Sequence, residues 1–272
     1  MSETTRVEVA ERAARAGAAV AADAFRTDLD VETKRGKNDL VTDADRRAQR
    51  RVVEVIERSR PDETVIGEEE GLGSTLPAEG TAWIVDPIDG TTNYVYGSPL
   101  WTTSVASVRD GRTVAAANVM PAYGDAYVAA PDGFTLNGEP ATVSDRRDPG
   151  TLVIAPTMGW GRNDREGIAS ICGVLGDRFG DLRRFATGQT TLSMVAAGQL
   201  DGALTISGGD PWDRVGGVYM VEQAGGVVTD LRGDPWERDA TGLVASNGVA
   251  HDELLDVVPE IRECCNAGIP DG

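Results

Sequence analysis

Lysine is nearly absent from this chain. Of its 26 basic residues only Lys34 and Lys37 are lysine, against 44 Asp and Glu, and the formal charge is −18. That imbalance argues against a free polyanion such as nucleic acid as a partner. An acid-rich, lysine-poor surface is expected of a halophilic protein, because concentrated salt screens most of the self-repulsion. Histidine occurs once, at His251, and cysteine three times, at Cys172, Cys264 and Cys265. An odd count with two adjacent thiols and no C-x-x-C spacing excludes a disulfide framework and a zinc site. The lone histidine sits in GVAHDELLDVV, which reads as the first turn of a surface helix, so a Ser-His-Asp or Cys-His centre has no support. No apolar run approaches the roughly 18 residues that span a membrane, and the first residues are not a signal peptide. The expectation is a cytoplasmic protein with no membrane and no nucleic-acid partner. If it is a hydrolase, carboxylates and metal must do the work that imidazole does elsewhere.

What is present is an ordinary globular composition, 40% hydrophobic over 272 residues, enough for one large domain or two lobes. Val7, Ala10, Ala14, Ala18, Ala21 and Phe25 recur at helical spacing, and DADRRAQRRVVEVIERS reads as a second helix. TVIGEEEG and TAWIVD follow as strands, the latter stopped by Pro87, which cannot donate to a ladder. From residue 100 the pattern is antiparallel β, with Asp110-Gly111 as a hairpin turn. After Pro149 strands alternate with helices: TLVIAP, GQTTLSMVAAGQL, DGALTI, DPWDRVGGVYMVEQAG, GVVTD, GLVAS and HDELLDVVPEI. This order predicts a layered α+β protein with an N-terminal lobe over 1–149 and a C-terminal lobe over 150–272, working as one catalytic unit.

Three acidic segments carry the chemistry. In Trp83-Ile84-Val85-Asp86-Pro87-Ile88-Asp89-Gly90-Thr91-Thr92-Asn93 a buried strand delivers Asp86 to its end, and Asp89 follows three residues later. Gly90 lets backbone approach a ligand, and Thr91 suits the cap of a following helical turn. Gly67-Glu68-Glu69-Glu70 puts carboxylates at the end of the preceding strand, with Glu70 read as solvated. Asp210-Pro211-Trp212-Asp213 opens a helix, with Asp210 at the N-cap, Pro211 at N1 and Asp213 at N3, where the dipole favours an ionised carboxylate. A phosphate monoester needs charge neutralisation and an activated water, which divalent cations supply, and hard oxygen ligands suit Mg²⁺.

These segments, with NDLVTDAD at 38–45, resemble the inositol monophosphatase family in order and spacing from about residue 5 to 250. The resemblance implies a layered αβαβα sandwich of the inositol monophosphatase and fructose-bisphosphatase type. It also implies a lithium-sensitive phosphomonoesterase with two or three Mg²⁺ ions, commonly a homodimer, acting on a small phosphate ester. Carried over by motif, Glu68, Asp86 and the carbonyl of Ile88 would hold the first metal. Asp86, Asp89 and Asp213 would hold the second, and Glu68 would reach a third ion through water. Asp45 and Thr91 would orient and activate the attacking water. Asp89, Gly90, Thr91, Thr187, Gly188 and Asp213 would line the substrate.

The chain departs from that pattern where the alcohol half of a substrate would sit. Inositol-specific relatives carry a Glu about seven residues before the Trp-Asp pair, whereas this stretch is Ala203-Leu204-Thr205-Ile206-Ser207-Gly208-Gly209. Inositol 1-phosphate remains the first expectation, with fructose 1,6-bisphosphate as the alternative and Arg183 or Arg184 as candidates for a second phosphate. A nucleotide 3′-phosphatase and a non-catalytic binding module of the same fold rank lower. A haloacid-dehalogenase-type phosphatase does not fit, because its Asp-x-Asp spacing is one residue shorter than Asp86 to Asp89.

Overall fold

The computed structural model describes residues 5–33, 40–69, 71–73, 75–77, 79–157 and 165–264. Lys34, Lys37, Asn38, Asp39, Glu70 and Cys265 lie outside the described residues. The chain begins with α1 (Arg6–Ala24), a short hairpin of β1 (Val31–Thr33) and β2 (Leu40–Thr42), and α2 (Asp43–Ser59). Then come β3 (Thr64–Gly67), β4 (Thr81–Asp89), α3 (Thr91–Val95), β5 (Thr102–Arg109), β6 (Arg112–Met120), β7 (Asp125–Ala130), β8 (Gly133–Leu136) and β9 (Glu139–Pro140). The remainder is β10 (Val153–Pro156), α4 (Arg165–Arg178), β11 (Asp181–Leu182), α5 (Gly188–Ala196), β12 (Gly202–Thr205), α6 (Pro211–Gln223), β13 (Val227–Thr229), β14 (Leu243–Ser246), α7 (His251–Asp256) and α8 (Val258–Cys264).

Two sheets organise these elements. One runs β3-β4-β5-β6-β7-β8-β9 and the other β11-β10-β12-β14-β13. In the first, β3 and β4 are parallel and the rest antiparallel. In the second, β10 is parallel to both β11 and β12. Strand alternation sorts the side chains into layers. Trp83, Val85 and Val105 pack under Val9, Ala13, Val52 and Ile56 of α1 and α2. From the opposite face, Ile84 and Ala106 join Leu192, Val195, Val215 and Val218 of α5 and α6, together with Ala155, Ala203 and Ala245 of the second sheet. Ile154, Leu204 and Val244 face the other way, toward Ile171, Leu175, Leu254 and Ile261. The result is the expected αβαβα stack.

Local chemistry accounts for several boundaries. Thr5 and Glu8 form a capping box that starts α1. Small residues let that helix lie close: a Cβ on Gly17 would come within 2.5 Å of Val52 Cγ2. Asp110 and Gly111 have φ of 49° and 78°, the left-handed pair that a two-residue hairpin requires. Buried Asp201 accepts hydrogen bonds from the Val153 amide (2.7 Å), Arg146 Nε (2.8 Å) and the Ser144 hydroxyl (2.5 Å), which fastens the connection into the second sheet.

Three expectations need correction. Pro87 does not stop its strand; β4 runs through it to Asp89, because the ladder to β5 absorbs the missing donor in a bulge. Phe25 caps α1 rather than continuing it. His251 does start a helix, but it is buried, with Nδ1 2.9 Å from Ser246 Oγ and Nε2 3.0 Å from Thr229 Oγ1, and burial lowers its pKa. Both ring nitrogens are thus satisfied by hydroxyls inside the fold.

Candidate metal centre

The bulge in β4 creates the site. Asp86 pairs with Ser104 and Asp89 with Thr102, so three steps along β4 oppose two along β5. The extra residue flips the alternation, and Asp89 comes out on the same face as Asp86. That face is the one carrying Ile84, toward α5 and α6. Ile88 points the opposite way and packs with Ala21, Ala44, Ala48, Tyr94 and Trp101. Gly90 then takes φ 94° and caps α3 by its backbone alone, which corrects the expectation of Thr91 as the cap; Thr91 is the first helical residue. The parallel pairing of Gly67 with Val85 sets Glu68 beside Asp86.

The third carboxylate arrives from α6. Asp210 and Pro211 open the helix as expected, and the Asp213 carboxylate accepts the Asp210 amide at 3.0 Å. Oxygens of Asp86, Asp89 and Asp213 lie within 4.8 Å of one another. Glu68 stands close enough to raise the pKa of all three.

Burial and like charge act together on this cluster. Burial pushes Asp86 well above the usual carboxylate range, reinforced by Glu68, Asp89 and Asp213. Burial likewise pushes Asp213 well up, reinforced by Asp89 and Glu68. Asp89 is pushed by burial to about 6, although hydrogen bonds from Thr187 and Gln189 oppose the shift. Asp86 Oδ1 is buried without a hydrogen-bond partner. An orphaned carboxylate oxygen among three other acids fits a hard divalent cation.

That fit has a pH signature. The folded, metal-free chain keeps protons on these acids that the unfolded chain has released, so stability is lost as pH rises from about 4, through about 6 for Asp89 and higher for Asp86 and Asp213. A divalent cation held by these acids would compete with the same protons. The rise in melting temperature caused by Mg²⁺ should therefore grow between about pH 5 and pH 7.5; a rise independent of pH would contradict the assignment.

The other expected residues gather around the cage. Asp45 is fully buried at N3 of α2, where Thr42 donates its amide (2.8 Å) and hydroxyl (2.6 Å) to Oδ2. The Thr91 hydroxyl lies 3.0 Å from the Ile88 carbonyl and 3.4 Å from Asp45 Oδ1, with one proton between two acceptors. Thr187 caps α5 and donates its hydroxyl to Asp89 Oδ2, while the Gly188 amide reaches Asp89 Oδ1 at 3.3 Å. Thr187 and Gly188 therefore face the Asp89 carboxylate directly. Arg183 is exposed and paired with Asp181 at 2.5 Å.

The loop before Thr187 is strained. Ala186 has φ 57°, held there by Asn93, whose Nδ2 donates to Phe185 O (2.6 Å) and Leu100 O (2.7 Å). Ala186→Gly should raise stability by up to about 1 kcal/mol, the left-handed penalty less the entropy of glycine, read as a urea midpoint shift. A lower midpoint would show that the position tolerates alanine without strain.

Some contributors escaped the motif reading. Gln49 clamps the Glu69 backbone, accepting its amide at 3.0 Å and donating to its carbonyl at 3.2 Å, which fixes the segment bearing Glu68. Buried Arg214 donates to Ala240 O at 3.0 Å and to Gly209 O, and stacks on Trp236. The only cue for Gln49 is one uncharged polar residue on the apolar face of α2.

The comparison with known proteins decides the family. The profile described as inositol monophosphatase family matches residues 2–263. The chain belongs to the inositol monophosphatase family. It is accordingly a phosphoric monoester hydrolase. It is 31% identical over 267 residues, 94% of this chain and 96% of the relative, to a fructose-1,6-bisphosphatase/inositol-1-monophosphatase of Aquifex aeolicus. It is 34% identical over 228 residues, 81% of this chain and 83% of the relative, to the Nus factor SuhB of Escherichia coli. The solved structure of a Thermotoga maritima IMPase superposes with a TM-score of 0.85 at 30% identity, covering 94% of this chain and 97% of that one. Among the described residues no helix is long and apolar enough to cross a membrane.

Proposed function

We propose that this member of the inositol monophosphatase family hydrolyses a small phosphate monoester, inositol 1-phosphate first, with Mg²⁺ as the cation. The convergence of Asp86, Asp89 and Asp213 within 4.8 Å, beside Glu68, carries the reading. Glu68, Asp86 and the Ile88 carbonyl would hold one ion and Asp86, Asp89 and Asp213 a second, with Glu68 serving a third through water. When bound, the cations neutralise the ester and lower the pKa of the attacking water.

The protein's own groups do the rest. Glycine at 90 lets backbone amides of Gly90 and Thr91 approach the phosphate. Thr91 and Asp45 take up the proton of the attacking water along the Thr91 hydroxyl, and the clamp of Thr42 holds Asp45 for that task. Thr187 and Gly188 act on the substrate side by fixing Asp89. Asp213 completes in 150–272 the cage begun in 1–149, so the two lobes act as one catalytic unit. A homodimer and a cytoplasmic location complete the reading, as does function in high salt.

Fructose 1,6-bisphosphate is the alternative substrate. It is favoured by the missing Glu in the 203–209 stretch and by the dual name of the Aquifex relative. Steady-state rates on the two esters in concentrated KCl decide between them. A kcat/KM for inositol 1-phosphate at least about tenfold higher supports the first reading. The reverse ratio supports the bisphosphatase.

The charge of −18 yields a further expectation. Dilution from about 2 M to about 0.1 M KCl should lower the melting temperature as screening is lost. An unchanged melting temperature would remove the high-salt reading.

A further inference from the structure

Three polar side chains form a hydrogen-bonded cluster against the apolar core between the sheets. Asn118 of β6, Gln189 and Ser193 of α5 are each 0% exposed, among Leu192, Val195, Val215, Val218 and Met220. The Gln189 backbone amide donates to Asp89 Oδ2 at 2.6 Å. Its side-chain Nε2 donates to the Trp212 carbonyl at 2.6 Å, one residue before Asp213. Its Oε1 accepts from Asn118 Nδ2 at 3.0 Å, and that same nitrogen lies 2.8 Å from Ser193 Oγ. One residue therefore touches the carboxylate brought by β4 and the helical turn that brings Asp213, while Asn118 anchors it to the sheet.

The packing is arranged to admit this amide. A Cβ on Gly216 would lie 3.2 Å from both Gln189 Oε1 and Ser104 Oγ and 3.6 Å from Gln189 Nε2, so the glycine leaves α6 open where the amide crosses beside Ser104. The arrangement is also costly: Asn118 Oδ1 is buried with no partner. A buried unpaired acceptor costs stability, and an apolar trio of similar shape avoids that cost. A feature that lowers stability yet joins the strand bearing Asp89 to the helix bearing Asp213 has its explanation in what it positions.

We propose that Gln189 is a positioning residue of the metal centre, spanning Asp89 and the Trp212-Asp213 turn so that the two carboxylates keep the spacing one cation needs. Asn118 aims it. This inference rests on the metal-centre reading above. Residues that orient metal ligands typically matter about 10–100-fold in metal affinity.

The test is calorimetric Mn²⁺ binding to the full chain in about 0.5 M KCl, with melting temperatures recorded without metal. Gln189→Met keeps the length and the backbone amide but loses both side-chain bonds. It should weaken Mn²⁺ by at least about tenfold. Ser193→Ala, which disturbs the same buried cluster without touching Trp212 or Asp89, should bind within about twofold of the unaltered chain. The Mg²⁺ concentration for half-maximal activity should shift in parallel for Gln189→Met, with KM for the ester at saturating Mg²⁺ unchanged. If Gln189→Met does not fold, Asn118→Val removes the anchor of Oε1 and should still weaken Mn²⁺ by about threefold or more. Mn²⁺ affinity within twofold of the unaltered chain in the folded variants overturns the proposal, as does an equal loss in Ser193→Ala. No Mn²⁺ binding by the unaltered chain overturns the metal-centre reading itself.

Discussion

Asp86→Asn is expected to lower phosphate release by at least about a thousandfold, roughly 4 kcal/mol of barrier, while making the metal-free chain more stable. The two effects have one cause. Asp86 is buried, its Oδ1 has no hydrogen-bond partner, and burial together with Glu68, Asp89 and Asp213 pushes its pKa well up. Without a cation the carboxylate is a liability. Asparagine removes the need to take up a proton on folding and offers amide protons to the acids around it. In EDTA near neutral pH the gain should be about 1–2 kcal/mol, or about 3–6 °C in melting temperature for a chain this long. With Mg²⁺ the order of stabilities reverses. A variant less stable than the unaltered protein in EDTA would mean that Asp86 serves the fold and not a cation.

Gly90→Ala is the second large effect. At φ 94° an alanine pays the left-handed penalty, and its Cβ would lie 3.0 Å from Leu100 O and 3.2 Å from Thr187 Cβ. Together these should cost about 2–4 kcal/mol, seen as a lower urea midpoint. The contact with Thr187 gives the loss a catalytic side. Thr187 holds Asp89, so pushing it away moves a carboxylate of the cage, and activity should fall by about a hundredfold even where the protein is folded. Full activity in the folded variant would show that the close approach at residue 90 is not needed.

Much of this architecture was legible in the sequence because the signals were local. The apolar run Trp83-Ile84-Val85, the Asp110-Gly111 turn and the Asp210-Pro211 helix start each carry their own geometry, and each appears in the structure. Asp86 and Asp89 were readable as a pair from their spacing, and Asp213 joined them through the family resemblance. The bulge that brings Asp89 onto the face of Asp86 was not readable, because Pro87 signals a lost donor and not what the ladder does next. Helix α4 was missed because its sequence, REGIASICGVLGDR, holds three glycines that obscure the helical period. Gln49, Asn118 and Gln189 were missed for a different reason. A single amide inside an apolar run looks like noise until its partners, far away in sequence, are known.

The salt and pH expectations concern the charge of the whole surface and of one buried cluster, and they separate experimentally. Surface screening acts with any monovalent salt. The cluster responds to a divalent cation at constant ionic strength.

The central claim is that these acids form a cation cage serving hydrolysis of a phosphate monoester. Its most direct test is phosphate release from inositol 1-phosphate and fructose 1,6-bisphosphate by the full chain, first in excess EDTA and then through a Mg²⁺ titration. The account predicts no turnover in EDTA and saturable recovery as Mg²⁺ is restored. Undiminished turnover of either ester in excess EDTA would contradict it.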